Sequence, residues 1–151
     1  MLHTRRGDLL RNIQAGWLIA HGCNSVGKMG SGFAEYLSRI YPKNRLDYIV
    51  HSKSKHGFEL GEVLFTKQDD GVHIANAITQ LRYGRCPNTV YVDYNAVRKS
   101  LQQVVKYAEL CRLEVHMPFI GGGLANGDQQ TLLDIFHDVF ESRDATLWIK
   151  D

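Results

Sequence analysis

Three polar side chains stand at short intervals in a stretch otherwise made largely of small residues. They are His21, Asn24 and Lys28, within Ile19-Ala-His-Gly-Cys-Asn-Ser-Val-Gly-Lys-Met-Gly-Ser-Gly-Phe33. An imidazole can take or give a proton near neutral pH. An amide can read a diol, and an ammonium group attracts phosphate. The glycines among them let backbone approach a ligand, and N–H groups at the following helix start point at negative charge. A second stretch of this kind, Gly121-Gly-Gly-Leu-Ala-Asn-Gly127, precedes Asp128. Three glycines directly after a buried strand favour a close backbone approach over a merely flexible turn. Two such loops side by side at the carboxyl ends of their strands form a crevice lined with N–H groups, which suits two linked phosphates.

Each side chain also has a plainer role open to it. His21 is a core histidine bonded to backbone, or a general acid or base. Asn24 braces its own loop or reads a ligand. Lys28 is a solvated cation or a phosphate partner. Asp8 and Asp128 precede helical patterns and can act as N-caps; Asp8 could equally accept from an amine, and Asp128 could orient water. Cys23 reads as a small buried filler, and Trp148 as core or rim. His73 and His116 alternate with apolar neighbours and read as structural. Gly22 to Met29 nearly matches the P-loop GxxxxGK[ST], but Met29 replaces the hydroxyl that would hold magnesium. Gly30-Ser-Gly32 lacks the third glycine of GxGxxG. The His/Asp/Glu spacing needed for a metal site is missing, and no cofactor is implied.

The elements that must position these residues follow from periodicity and capping. Met1–Arg6 reads as a short strand, Asp8 to Asn12 as a brief helical turn and Trp17–His21 as a buried strand. Phe33, Leu37 and Ile40 have helical spacing, which Pro42 ends, and Lys43–Ser52 is a second helix. Glu62–Thr66 and Val72–Ile78 are strands joined at Asp69-Asp70-Gly71, a hairpin signal. Gln80–Asn88 is a loop. Asp93 caps a long helix to about Cys111, Glu114–Ile120 is a strand, Asp128 starts another helix and Ala145–Lys150 closes as a strand. This alternation predicts a three-layer α/β/α domain with a mixed central sheet.

The 151 residues suggest one domain, 1–151, long enough for a real core. A net charge of +2 is too near neutral for polyanion binding by electrostatics alone. No apolar run spans a membrane, and Arg5, Arg6 and Asp8 interrupt any signal-peptide pattern. Three cysteines without CxxC spacing argue against a disulfide framework and for a reducing cytoplasm.

Taken together, His21-Gly-Cys-Asn24, Lys28-Met-Gly-Ser-Gly-Phe-Ala34 and Met117-Pro-Phe-Ile-Gly-Gly-Gly-Leu-Ala-Asn-Gly-Asp128 resemble a macro domain over essentially the whole chain. Gly7-Asp8-Leu9 and Thr146–Ile149 sit where that family has its adenine-side elements. The most similar branch is the compact one. It holds the terminal ADP-ribose glycohydrolase, the antitoxin that strips ADP-ribose from DNA and the yeast-type ADP-ribose 1″-phosphate phosphatase. The resemblance implies ADP-ribose, or a derivative substituted on its distal ribose, as ligand; an ADP-ribosylated protein or nucleic acid could carry it, and the protein would be a monomer. Asp8 and Leu9 would meet the adenine. Gly121, Gly122, Gly123, Leu124 and Ala125 would cradle the pyrophosphate, and Pro118 and Ile120 would also line the ligand site. Asn24, Lys28, Met29, Gly30, Ser31, Gly32 and Phe33 would wrap the distal ribose, with Gln80 nearby. Where the glycohydrolase branch has a Lys and an Asp, this chain has Gln80 and Ala125, so hydrolysis through a lysine Schiff base is not expected. His21 and Asp128 remain as catalytic candidates, for a phosphatase or de-ADP-ribosylating hydrolase acting at the 1″ position. A non-catalytic ADP-ribose reader is the alternative.

Overall fold

The structure is a computed structural model and describes residues 1–150; Asp151, the last residue of the expected domain, lies outside them. Six strands form one sheet: β1 (Leu2–Arg6), β2 (Trp17–Asn24), β3 (Val63–Lys67), β4 (His73–Gln80), β5 (Glu114–Met117) and β6 (Ala145–Ile149). Their order is β1-β6-β5-β2-β4-β3. Every neighbouring pair is parallel except β3–β4, the antiparallel hairpin that Asp70 and Gly71 turn. The sheet is therefore mixed, as the alternation predicts.

Helices α1 (Gly32–Ile40) and α2 (Pro42–Ser52) cover one face; α3 (Tyr94–Cys111) and α4 (Gln129–Val139) cover the other. The alternation along β2 makes this arrangement. Leu18 and Ala20 pack with Val97, Leu101 and Phe136 on the α3/α4 side. Trp17 and Ile19 pack with Leu37, and Cys23 with Tyr48, on the α1/α2 side. Buried on both faces, this central strand reads as a continuous apolar run.

Several boundaries differ from the expectation: β4 runs on to Gln80, which pairs with Asn24 and so belongs to the strand and not to the expected loop. β2 runs on through Gly22-Cys-Asn24, because Gly22 lies so close to β4 that a Cβ there would stand 2.8 Å from Thr79 Oγ1. β5 stops at Met117, since Pro118 has no N–H to continue the ladder. Pro42 does more than end α1: it occupies the first turn of α2, where its fixed φ suits a helix start.

Candidate functional site

Loops after β2, β4 and β5 meet at the carboxyl ends of the sheet and enclose a cleft of about 220 Å³. Open α/β sheets bind ligands in such crevices.

The β2–α1 loop is shaped by Asn24. Its Oδ1 accepts from the Val26 N–H (3.1 Å), the Lys28 N–H (3.2 Å) and the Tyr48 hydroxyl (3.0 Å), while its Nδ2 donates to the Lys28 carbonyl at 2.8 Å. The plainer reading of Asn24 thus describes what its amide does here. The loop delivers the chain to α1, whose N-cap, Ser31, makes no side-chain cap bond. Ser31, Gly32, Phe33 and Ala34 all line the cleft. The start of α1, the positive end of its helix dipole, therefore lies at the cleft without a side-chain cap.

The β5–α4 loop closes on itself through Gly127 N–H to Gly121 O at 2.8 Å. Gly121 has φ +80°, and a Cβ on it would stand 2.8 Å from Val92 Cγ2, so only glycine fits this turn without strain. Asn126 then donates to the carbonyls of Cys86 (2.9 Å) and Thr89 (2.8 Å). That ties the β5–α4 loop to the segment after β4 and brings Tyr83, Gly84 and Arg85 to the cleft.

Of the residues singled out in the sequence, the cleft wall includes His21, Asn24, Lys28, Met29, Ser31, Gly32, Phe33, Gln80, Pro118, Ile120, Gly121, Gly123, Leu124 and Ala125. Asp8, Leu9, Gly30, Gly122 and Asp128 are not part of it. Asp8 accepts from the Leu10 N–H at 3.0 Å as the N-cap of the short 3-10 turn Leu9–Arg11, and Leu9 is buried against Trp17 and Trp148. Asp128 caps α4, accepting from the Thr131 N–H (2.9 Å) and hydroxyl (2.7 Å); these bonds hold its carboxyl below the usual range. Gln80 donates to the Arg82 carbonyl at 2.6 Å.

His21 is buried, and its Nε2 stands 2.7 Å from Asn76 Oδ1. Burial pulls its pKa down to about 4 against the opposing hydrogen bond, so the ring is neutral at physiological pH. Beside it Cys23 is buried, and burial pushes its thiol up, away from nucleophilic use. Gly22, Cys23, Ala34, Tyr83, Gly84, Arg85 and Phe119 line the cleft without having been singled out as ligand contacts. Arg85 had a usable signal: it lies in the segment after a strand's carboxyl end. Among the described residues of the wall, the cations are Lys28 and Arg85, and there is no Asp or Glu. Nor do the described residues contain a cluster of three or more His, Cys, Asp or Glu able to hold a metal.

No protein-family model matches the chain. The ADP-ribose 1″-phosphate phosphatase of Lodderomyces elongisporus is 30% identical over 120 residues, which cover 71% of this chain and 71% of that protein. A macrodomain protein from Streptomyces coelicolor superposes with a TM-score of 0.80 at 27% identity, with 99% of each chain covered. The chain belongs to the macro domain family. Within macro domain architecture, a protein of unknown function from Bacteroides thetaiotaomicron matches with a TM-score of 0.88 at 29% identity, covering 100% of this chain and 98% of its own. The six-stranded mixed sheet between two helical layers is the macro domain fold.

Proposed function

We propose that this macro domain binds ADP-ribose 1″-phosphate in the cleft and hydrolyses its 1″-phosphate. The carrying observation is that two segments suited to anions line the cleft, and that the described residues of its wall include no carboxylate. One is the backbone of the β5–α4 loop at Gly121 to Ala125, which suits the pyrophosphate. The other is the uncapped start of α1 with Lys28 beside it, which suits a further phosphate on the distal ribose. The relative of that name supports the same substrate.

The chemistry fits this wall. Phosphoryl transfer passes through a loose transition state in which positioning and charge stabilisation do most of the catalysis. A water oxygen bonds to phosphorus as the bond to the 1″ oxygen breaks; the proton passes to that oxygen, giving ADP-ribose and inorganic phosphate. Helix N–H groups and Lys28 stabilise the equatorial oxygens. His21, neutral and held from behind, accepts from the water or a ribose hydroxyl and orients it. Glycosidic cleavage instead draws on carboxylates as acid and base, which the described wall lacks. Removal of a whole ADP-ribosyl group from protein or nucleic acid is therefore less favoured.

Incubation with ADP-ribose 1″-phosphate tests the proposal. Wild type should release phosphate, and Lys28→Ala should slow release roughly tenfold, the loss of one charge contact worth about 1.4 kcal/mol. Binding without release would leave the non-catalytic reader. Release from an ADP-ribosylated protein or DNA, with none from the 1″-phosphate, would replace phosphatase by de-ADP-ribosylating hydrolase.

A further inference from the structure

Behind the cleft wall lies a chain of buried polar side chains that crosses from β3 through α2 to β4 and β2. Its direction is set at one end. The carbonyl of Leu64 can only accept, so the Asn76 atom 3.0 Å from it is Nδ2. The same Nδ2 donates to Asn44 Oδ1 at 2.8 Å. Asn76 Oδ1 therefore faces the other way, where it accepts from Asn44 Nδ2 at 3.0 Å and stands 2.7 Å from His21 Nε2. Thr66 adds a hydroxyl donor to Asn44 Oδ1 at 2.6 Å, and Gln68 Nε2 donates to that hydroxyl at 3.0 Å. Asn44, Thr66, Gln68, Asn76 and His21 are all buried, and His21 and Asn76 are register partners on β2 and β4.

We propose that Asn76 is a positioning residue which fixes His21, a residue of the cleft wall, as its Nε2–H tautomer, leaving Nδ1 as the ring's acceptor. An amide oxygen cannot donate, so a bond at this distance requires the proton on Nε2. The nearest polar neighbour recorded for Nδ1 is Cys23 Sγ, at 3.8 Å, a weak partner. Phe33 packs against the ring with centroids 5.8 Å apart, and neither Cys23 nor Asn76 offers the ring a charge. The consequence is specificity. A lone pair in an uncharged ring takes an O–H donor, a ribose hydroxyl or a water, and disfavours an anionic oxygen. This deepens the reading of the cleft as a distal-ribose site and rests on it for the identity of the donor, whereas the tautomer itself does not.

Imidazole nitrogen NMR on ¹⁵N-histidine-labelled protein without ligand tests the assignment, with the His21 signal identified by its loss in His21→Gln. The expected spectrum of the wild type shows a protonated Nε2 and an unprotonated Nδ1 at neutral pH. In Asn76→Asp a carboxylate meets the Nε2–H, so the His21 titration midpoint should rise by about two pH units. An Nδ1–H ring or a mixture of tautomers in the wild type refutes the proposal without any variant needing to fold. So does a folded Asn76→Asp protein with an unshifted midpoint. A fixed Nε2–H tautomer in a protein that releases no phosphate upholds Asn76 and refutes only the phosphatase.

Discussion

Replacing Asn24 by alanine separates two roles that the residue could play. The substitution removes the acceptor of the Val26 and Lys28 N–H groups and the donor to the Lys28 carbonyl. The Tyr48 hydroxyl keeps its bond to the Asn24 carbonyl at 2.6 Å, so the anchor under the loop survives. Three backbone groups lose their partner in a half-buried loop where water recovers part of the loss. At about 0.7 kcal/mol net for each of these three part-buried bonds, the cost is about 2 kcal/mol. For a domain of this size that lowers Tm by roughly 4–8 °C. A loop no longer held in its bound shape must be ordered by the ligand, so ADP-ribose affinity should fall roughly ten- to hundredfold. Asn24→Asp keeps the acceptor for both N–H groups and loses only the donor to Lys28, so its stability should lie between the two. Thermal unfolding and calorimetry on the same preparations give both numbers. If Asn24→Ala loses affinity while its stability stays within about 0.5 kcal/mol of wild type, the amide reads the ligand directly and the bracing account is wrong.

Three further outcomes follow from the same geometry. His21 and His116 are buried neutral with pKa values lowered to about 4, so the native state takes up fewer protons than the unfolded chain between about pH 6.5 and 4. Stability should be flat above that window and fall as pH drops through it, with His21 alone contributing about 3 kcal/mol; denaturant titrations across the window that show no fall would contradict this. Cys86 is exposed, and hydrogen bonds from Thr89 and the Asn88 backbone hold its thiol below the usual value, while Cys111 is exposed and Cys23 buried. A thiol reagent should label Cys86 and Cys111 in the native protein and Cys23 only on unfolding; native-state labelling of Cys23 would contradict its burial. Asp128→Asn preserves an N-cap and should leave phosphate release unchanged, whereas loss of release would assign the carboxylate a part in the chemistry.

Much of this architecture is legible in the residues. The hairpin at Asp69-Asp70-Gly71 and the caps at Asp8, Asp93 and Asp128 depend on neighbours within a few positions, and the structure has all of them. The two glycine loops are legible for the same reason. What escapes a reading along the chain depends on distant partners. Gly22 looks like loop until β4 lies against it, and only then is the missing Cβ a condition of strand contact. The chain of amides behind His21 joins residues 32 and 55 positions apart, and no local pattern announces it. Arg85 reaches the cleft beside Cys86, whose carbonyl is held by Asn126, 40 positions further along the chain.

Calorimetric titration with ADP-ribose 1″-phosphate, ADP-ribose and ATP, with phosphate release followed in parallel, asks at once what the cleft binds and whether it cleaves it. One site should take both ADP-ribose compounds, with tighter binding of the 1″-phosphate, phosphate release from it alone, and weak or no binding of ATP. Tight binding of ATP with none of ADP-ribose would rule out an ADP-ribose site in this cleft.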